Sequence, residues 1–195
     1  QRILYKEIRQ GIVDNLENIL EIPNPLSCTV RLRQLTGGVF GDDNPKLERV
    51  KDMLEEITES GHKALIFSQW EQVTSVYKEA LKAYNPAYIV GAVDPEDRQR
   101  EVDRFQNDPT CKVAIGTIGA MGTGLTMTAA SYVFFVDKRY WDAENKQAED
   151  RAHRIGTAGT VNVISLVAKG TVDEGIEEYL IDNKDLFERI VDGKG

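Results

Sequence analysis

Histidine and cysteine are scarce in this sequence, with two of each: His62, His153, Cys28 and Cys111. The cysteines stand far apart and form no Cys-x-x-Cys pair. Neither a zinc cluster nor a disulfide framework is therefore expected, no metal ligand is assigned, and the thiols read as reduced, in an intracellular setting, cytoplasmic or nuclear. No apolar run approaches the roughly 18 residues that cross a bilayer, and no signal peptide opens the chain, so a membrane is not an expected partner. Positive charge is in deficit as well: the formal charge is −8, which argues against a dedicated nucleic-acid-binding domain, usually basic overall. Finally, no Gly-x-x-x-x-Gly-Lys-[Ser/Thr] loop occurs anywhere in the 195 residues. That absence excludes a self-contained P-loop nucleotide site.

What is present is ordinary globular composition, 41% hydrophobic and 29% charged, in a chain long enough for one domain with an appendage. Residues 1–38 read as a helical lead-in. Ile3, Leu4, Ile8, Ile12, Leu16, Ile19 and Leu20 trace a stripe at near-helical spacing, Pro23 and Pro25 break it, and Leu26 to Leu35 form a second helix that stops at Gly37 and Gly38. Residues 39–195 alternate helix and strand. Asn44-Pro45 and Asp94-Pro95 are helix starts, Leu47, Val50, Leu54 and Ile57 share one helical face, and Thr171 with Glu174 forms a capping box. Strands are expected at residues 64–67, 87–90, 113–116, 132–136 and 161–168. This alternation predicts an α/β fold with a mostly parallel sheet covered on both faces.

Two stretches carry candidate chemistry. The segment Thr117 to Gly124 places Gly119, Gly122 and Gly124 after a strand, at the carboxyl edge where open α/β sheets bind ligands. It is either an anion-binding turn or a tight strand-to-helix connection. In the run QAEDRAHRIG, Gln147, Arg151 and Arg154 are spaced so that one helical face would carry all three. Two guanidiniums on one face call for an anion, and phosphate suits their planar donors; the alternative is a solvated edge neutralised by Glu144, Glu149 and Asp150. His153 lies off that face and reads as a packing residue. Ser68 and Gln69, at a helix start, suit either a phosphate or an ordinary cap. Trp70 reads as core. Arg98 has Asp94 and Glu101 within reach as salt-bridge partners, and Asp137 ends a strand from which it could bridge to the arginine helix.

The order of these segments resembles the second RecA-like lobe of the Swi/Snf branch of superfamily-2 helicases. The resemblance runs through LRQLTGG (Leu32 to Gly38), ALIFSQW (Ala64 to Trp70), the spacing of Gly91, Arg98 and Phe105, TIGAMGTGL (Thr117 to Leu125), YVFFVD (Tyr132 to Asp137) and QAEDRAHRIG (Gln147 to Gly156). Met121 stands where the family has glycine, Thr126 and Met127 where it has Asn-Leu, Tyr140 where it has Trp, and Thr157 where it has Gln. These departures mark a divergent member and leave both arginines in place.

The resemblance implies a RecA-like three-layer α/β/α lobe preceded by a helical segment leading from a first lobe. It implies a double-stranded DNA translocase whose complete form uses ATP and Mg²⁺. In that reading Arg151 and Arg154 are arginine fingers on the ATP γ-phosphate, and Gln147, Gly122 and Gly124 line the nucleotide. Ser68, Gln69, Arg98, Thr117 and Gly119 meet the DNA backbone. The P-loop and the Mg²⁺ ligands come from the N-terminal ATPase lobe, since this chain also lacks the family's Asp-Glu-x-His motif. The chain alone is then expected to hydrolyse no ATP, to hold no cofactor tightly and to bind DNA weakly. The competing reading is a non-catalytic, protein-binding adaptor on the same scaffold. A dinucleotide enzyme is disfavoured, because the glycine spacing is wrong for it.

Overall fold

The computed structural model describes residues 1–9, 25–40, 43–121, 125–151 and 160–191. Within them the apolar runs become strands β1 (Lys63–Ser68), β2 (Ala87–Ile89), β3 (Val113–Thr117), β4 (Ala130–Phe135) and β5 (Asn162–Ser165). They form one sheet in the order β2-β3-β1-β4-β5, every pairing parallel. A parallel sheet needs crossover connections, and these cover both faces. Alternate residues of each strand therefore enter different cores. Leu65, Phe67, Ala114, Val133 and Phe135 pack with α5 (Pro95–Asn107), α6 (Ile118–Met121) and α7 (Asp142–Glu149). Ala64, Ile66, Val113, Ile115, Phe134 and Val136 pack with α3 (Pro45–Glu59) and α4 (Glu71–Ala80). The result is the three-layer α/β/α, RecA-like architecture that the sequence implied.

Local chemistry sets the helix starts. Asn44 accepts the Leu47 N–H at 3.1 Å with Pro45 at the first helical position, and Asp94 accepts the Glu96 N–H at 2.9 Å. Of the lead-in, α1 (Arg2–Arg9) and α2 (Pro25–Thr36) are described, while Ile12, Leu16, Ile19, Leu20 and Pro23 lie outside the described residues. α2 is described from Pro25 onward. α1 is tied at its start by Gln1 Nε2 donating to the Leu35 carbonyl and at mid-helix by Tyr5 Oη accepting from the Val172 N–H of α8 (Val172–Val191). At the start of α8, Thr171 Oγ1 accepts the Asp173 N–H as a cap should. Glu174 reaches one residue further back than a capping box requires, to the Gly170 N–H at 2.9 Å.

The chain leaves β1 towards β2 through α4, then returns through β3 and crosses to β4 on the other side. That reversal opens a crevice at the carboxyl ends of β1 and β3, where Ser68 and Thr117 are register partners. The glycine stretch starts there as one turn of helix, α6, rather than as an open loop. Its helical start turns Met121 inward to complete burial, where it packs on Gly116. A Cβ on Gly116 would lie 2.1 Å from the Ile89 carbonyl oxygen and 2.4 Å from Met121 Sδ, so only glycine fits. The methionine in a family glycine position is thus a core residue of this chain.

Tyr77 of α4 is fully buried, and its hydroxyl has no hydrogen-bond partner among the described residues. Burial, reinforced by the charges of Asp137 and Asp173, holds its pKa well above the ordinary tyrosine value. An orphaned buried hydroxyl is a cost, so Tyr77→Phe is expected to stabilise the fold by about 1 kcal/mol, raising the melting temperature by ~3 °C. The folded state keeps this proton after the unfolded chain has lost it near pH ~10, so stability falls as pH rises beyond that point. Thermal denaturation at neutral pH and at pH ~10.5 should show a gain for the variant that widens at the higher pH.

Candidate functional site

Asp137 follows β4 at the carboxyl edge and is buried. Ser68 Oγ donates to one of its oxygens at 2.5 Å, the Gln69 N–H donates to the other at 2.8 Å, and Arg33 Nη2 lies 3.8 Å away. Burial pushes the Asp137 carboxyl above the ordinary range, against the pull of the Ser68 hydrogen bond and the Arg33 charge. Arg33, from α2, is 2% exposed, donates to Gln69 Oε1 at 3.3 Å and to the Lys138 carbonyl, and stacks between the rings of Trp70 and Tyr140 at 5.9 and 5.1 Å. Close by, Lys46 Nζ lies 2.6 Å from Asp173 and from the Val136 carbonyl oxygen, and Thr36 Oγ1 donates to Asp173 at 3.1 Å. This network joins the loop after β1, which borders the crevice, to the loop after β4.

A second set of contacts joins the glycine stretch to α7. Asn145, 1% exposed, accepts the Arg139 N–H at 2.9 Å and donates to the Arg139 carbonyl at 2.8 Å, which clamps the end of the β4 loop onto α7. α6 packs against the same helix. At the far end of α7, the Met127 N–H donates to the Arg151 carbonyl at 2.9 Å. The stretch that begins at Gly119 and the stretch that carries Arg151 are therefore pinned to each other.

Several sequence expectations change at this point. Gln147 and Arg151 do not extend from one regular helix: α7 ends at Glu149 with Asp150 as its C-cap, and Arg151 closes a tighter turn through its N–H to the Ala148 carbonyl. The Arg151 carbonyl accepts the Met127 N–H. Gln147 is exposed on α7, Arg151 is half-buried, and Arg154, His153, Gly122 and Gly124 lie outside the described residues. Glu144 pairs with Arg139 at 2.8 Å. Asp137 pairs with Arg33. Glu101 serves Arg104 at 2.7 Å and the Tyr88 N–H at 2.9 Å, and Asp94 serves its cap, so neither expected salt bridge to Arg98 forms and the Arg98 Nε is buried without a partner among the described residues.

Ser68 and Gln69 do come together with Asp137, but the Ser68 hydroxyl is spent there and on the Trp70 N–H at 3.0 Å, leaving nothing for an external phosphate. Trp70 is half-buried between the core and Arg33. Thr117 ends β3 half-exposed, and Gly119 is exposed. Arg33, Asn145, Arg139, Lys46 and Asp173 were not legible as site residues. The partners of Arg33, Lys46 and Asp173 are distant in sequence, and no recognised motif marks the Arg139–Asn145 pair.

A parallel sheet in this order, with its loops gathered at one carboxyl edge, is a RecA-like helicase lobe. The chain matches the Helicase conserved C-terminal domain over residues 45–156 and belongs to that family, in its Swi2/Snf2 branch. It is 35% identical over 178 residues to the Helicase SWR1 of Candida albicans, covering 90% of this chain and 10% of that protein. It is 37% identical over 161 residues to the human DNA annealing helicase and endonuclease ZRANB3, covering 80% of this chain and 15% of that protein. The chain thus spans a small fraction of the relatives it matches. Among solved structures it is similar to the Sulfolobus solfataricus SWI2/SNF2 ATPase core in complex with dsDNA, with a TM-score of 0.72 and 25% identity over 97% of this chain and 42% of that one. The C-terminal part of the Fun30 ATPase domain shares the fold, with a TM-score of 0.67 and 24% identity over 92% of this chain and 65% of that one.

Removing one member of a buried ion pair strands the other. Asp137→Ala is therefore expected to cost about 3 kcal/mol or more, lowering the melting temperature by ~6–12 °C. The double variant Arg33→Met, Asp137→Leu leaves no charge behind and should lose much less in denaturant titration.

Proposed function

We propose that this chain is the second ATPase lobe of an ATP-dependent double-stranded DNA translocase or remodeller, working inside the cell with an N-terminal lobe that carries the P-loop and the Mg²⁺ ligands. Residues 1–38 lead in from that first lobe, and residues 39–195 form the second. ATP sits between the two. Arg151 and Arg154 supply positive charge where the γ-phosphate oxygens gain negative charge in the transition state, and Gln147, Gly122 and Gly124 line the same side. Gln69, Arg98, Thr117 and Gly119 meet the DNA backbone at the carboxyl edge, and Ser68 acts behind them by holding Asp137. One observation carries this reading beyond family membership: the Met127–Arg151 hydrogen bond. It pins the stretch assigned to DNA against the stretch assigned to ATP, so that a shift in one displaces the other. The adaptor reading draws on a different observation, the exposed aromatic patch of Tyr140, Trp141 and Tyr179, at 42, 76 and 49% exposure.

DNA-stimulated ATP turnover of the full-length protein tests the proposal. Arg151→Ala or Arg154→Ala is expected to lower turnover by about 10³- to 10⁵-fold for at least one of the two, with ATP binding reduced far less. Arg→Lys should fail as well, because an ammonium cannot reproduce the guanidinium fork. If both alanine variants keep near-normal turnover, the adaptor reading takes the lead. The isolated chain is expected to show no ATP turnover and weak DNA binding that declines further as salt rises, measured by fluorescence anisotropy between ~50 and ~200 mM salt.

A further inference from the structure

We propose that Arg139 is a positioning residue that sets the distance between α6 and α7, and through it the placement of the glycine stretch on DNA; the DNA-affinity part of this inference rests on the function proposed above. Arg139 belongs to none of the sequence motifs, yet both its main chain and its side chain are engaged. Its main chain is held twice by buried Asn145 of α7. Its side chain engages the same helix and meets the glycine of α6. Nη1 donates to Glu144 at 2.8 Å, Nε is buried without a partner among the described residues, and Nη2 lies where a side chain on Gly119 would begin, 2.9 Å from an ideal Cβ.

Gly119 supplies the second half of the observation. It is exposed, and its backbone does not adopt the positive φ that demands glycine. The atoms an added methyl would meet are those of the Arg139 guanidinium, with Nη2 at 2.9 Å and Cζ at 3.7 Å. Gly119 thus lets a planar cation lie directly on the α6 backbone, and Arg139 is the strut that uses the space. The ion pair with Glu144 does not by itself account for the arrangement. Both side chains are about one-third exposed or more, at 32 and 43%, so water screens their attraction. An arginine can span from Glu144 to Gly119 with one rigid group, which a lysine cannot.

The test uses the full-length protein with Arg139→Ala, Gly119→Ala, the double variant, and the exchange Arg139→Glu with Glu144→Arg. Gly119→Ala meets only the tip of a flexible side chain, so the fold survives and the guanidinium is displaced. Each single alanine variant is expected to raise the DNA concentration for half-maximal ATP turnover roughly 3- to 10-fold. For Arg139→Ala, turnover at saturating DNA should stay within about twofold, because the strut acts on affinity and not on the arginine fingers. The double variant should be no worse than either single one, since both remove the same contact. Hydrogen exchange at the amides of residues 118–121 should accelerate in all three. Unchanged DNA dependence and unchanged exchange in Arg139→Ala overturn the proposal. So does an additive double variant, or recovery of both readouts in the charge exchange, which restores the ion pair without returning a guanidinium to Gly119. If the wild-type protein shows no DNA-stimulated turnover, the translocase reading fails, and the exchange measurement still decides whether Arg139 positions α6.

Discussion

A carboxylate buried at the end of β4 is the constraint on which this lobe depends. Asp137 cannot stay inside the protein without partners, because a desolvated charge costs several kcal/mol. Its partners come from separate parts of the chain: Arg33 from α2, Ser68 and the Gln69 N–H from the end of β1. Lys46 and Asp173 repeat the arrangement one layer away, joining α3 to α8 and to the Val136 carbonyl. Each pair neutralises itself, so the polar cluster stays internal while the apolar cores close around it. The consequence is geometric. The loops after β1 and β4 are held to each other, and the first of them borders the crevice between β1 and β3.

The other face of the sheet is organised differently. There α6, α7 and the connecting stretch are joined by contacts at two separate points, Arg139 with Gly119 at one end and Met127 with Arg151 at the other. Rigid packing lies beneath them, since Met121, Met127 and Ala148 are fully buried in the same core as Phe67 and Phe135. In the function proposed above, such a unit, stiff inside and pinned at its ends, would carry closure on a nucleotide into movement along a strand, because packed elements shift as bodies rather than deform. Membership of the helicase C-terminal family gives the unit its context, and the particular residues that pin it are this chain's own.

Exposed aromatics stand just outside the rigid part. Trp141 caps α7 without a side-chain hydrogen bond, and Tyr140 meets Tyr179 edge-on with ring centroids 6.0 Å apart. Tyr140 therefore has two faces of work, one against buried Arg33 and one against α8. The family tryptophan position holds this tyrosine, and the arginine beneath it explains why an aromatic ring is still needed there.

The sequence by itself determined the strands, the helix starts and the parallel sheet. Strand runs such as Ala64 to Phe67 are apolar enough to be buried on both faces, and Asn44-Pro45 and Asp94-Pro95 carry their caps within a few residues. Motif order likewise determined the family. Tertiary structure alone decided that α7 stops at Glu149 and that the Arg151 carbonyl accepts from Met127, across a gap in sequence that no periodicity records. It alone decided the partners of Asp137 and Glu144, since an ion pair forms with whichever opposite charge the fold brings within about 4 Å, not with the nearest one along the chain. It also decided that the glycine stretch begins as a tight strand-to-helix connection, one of the two readings left open, with Met121 in the core and Gly119 against Arg139. Local sequence sets which conformations are cheap, and long-range packing selects among them, so the scaffold was legible and the contacts that tune its edge were not.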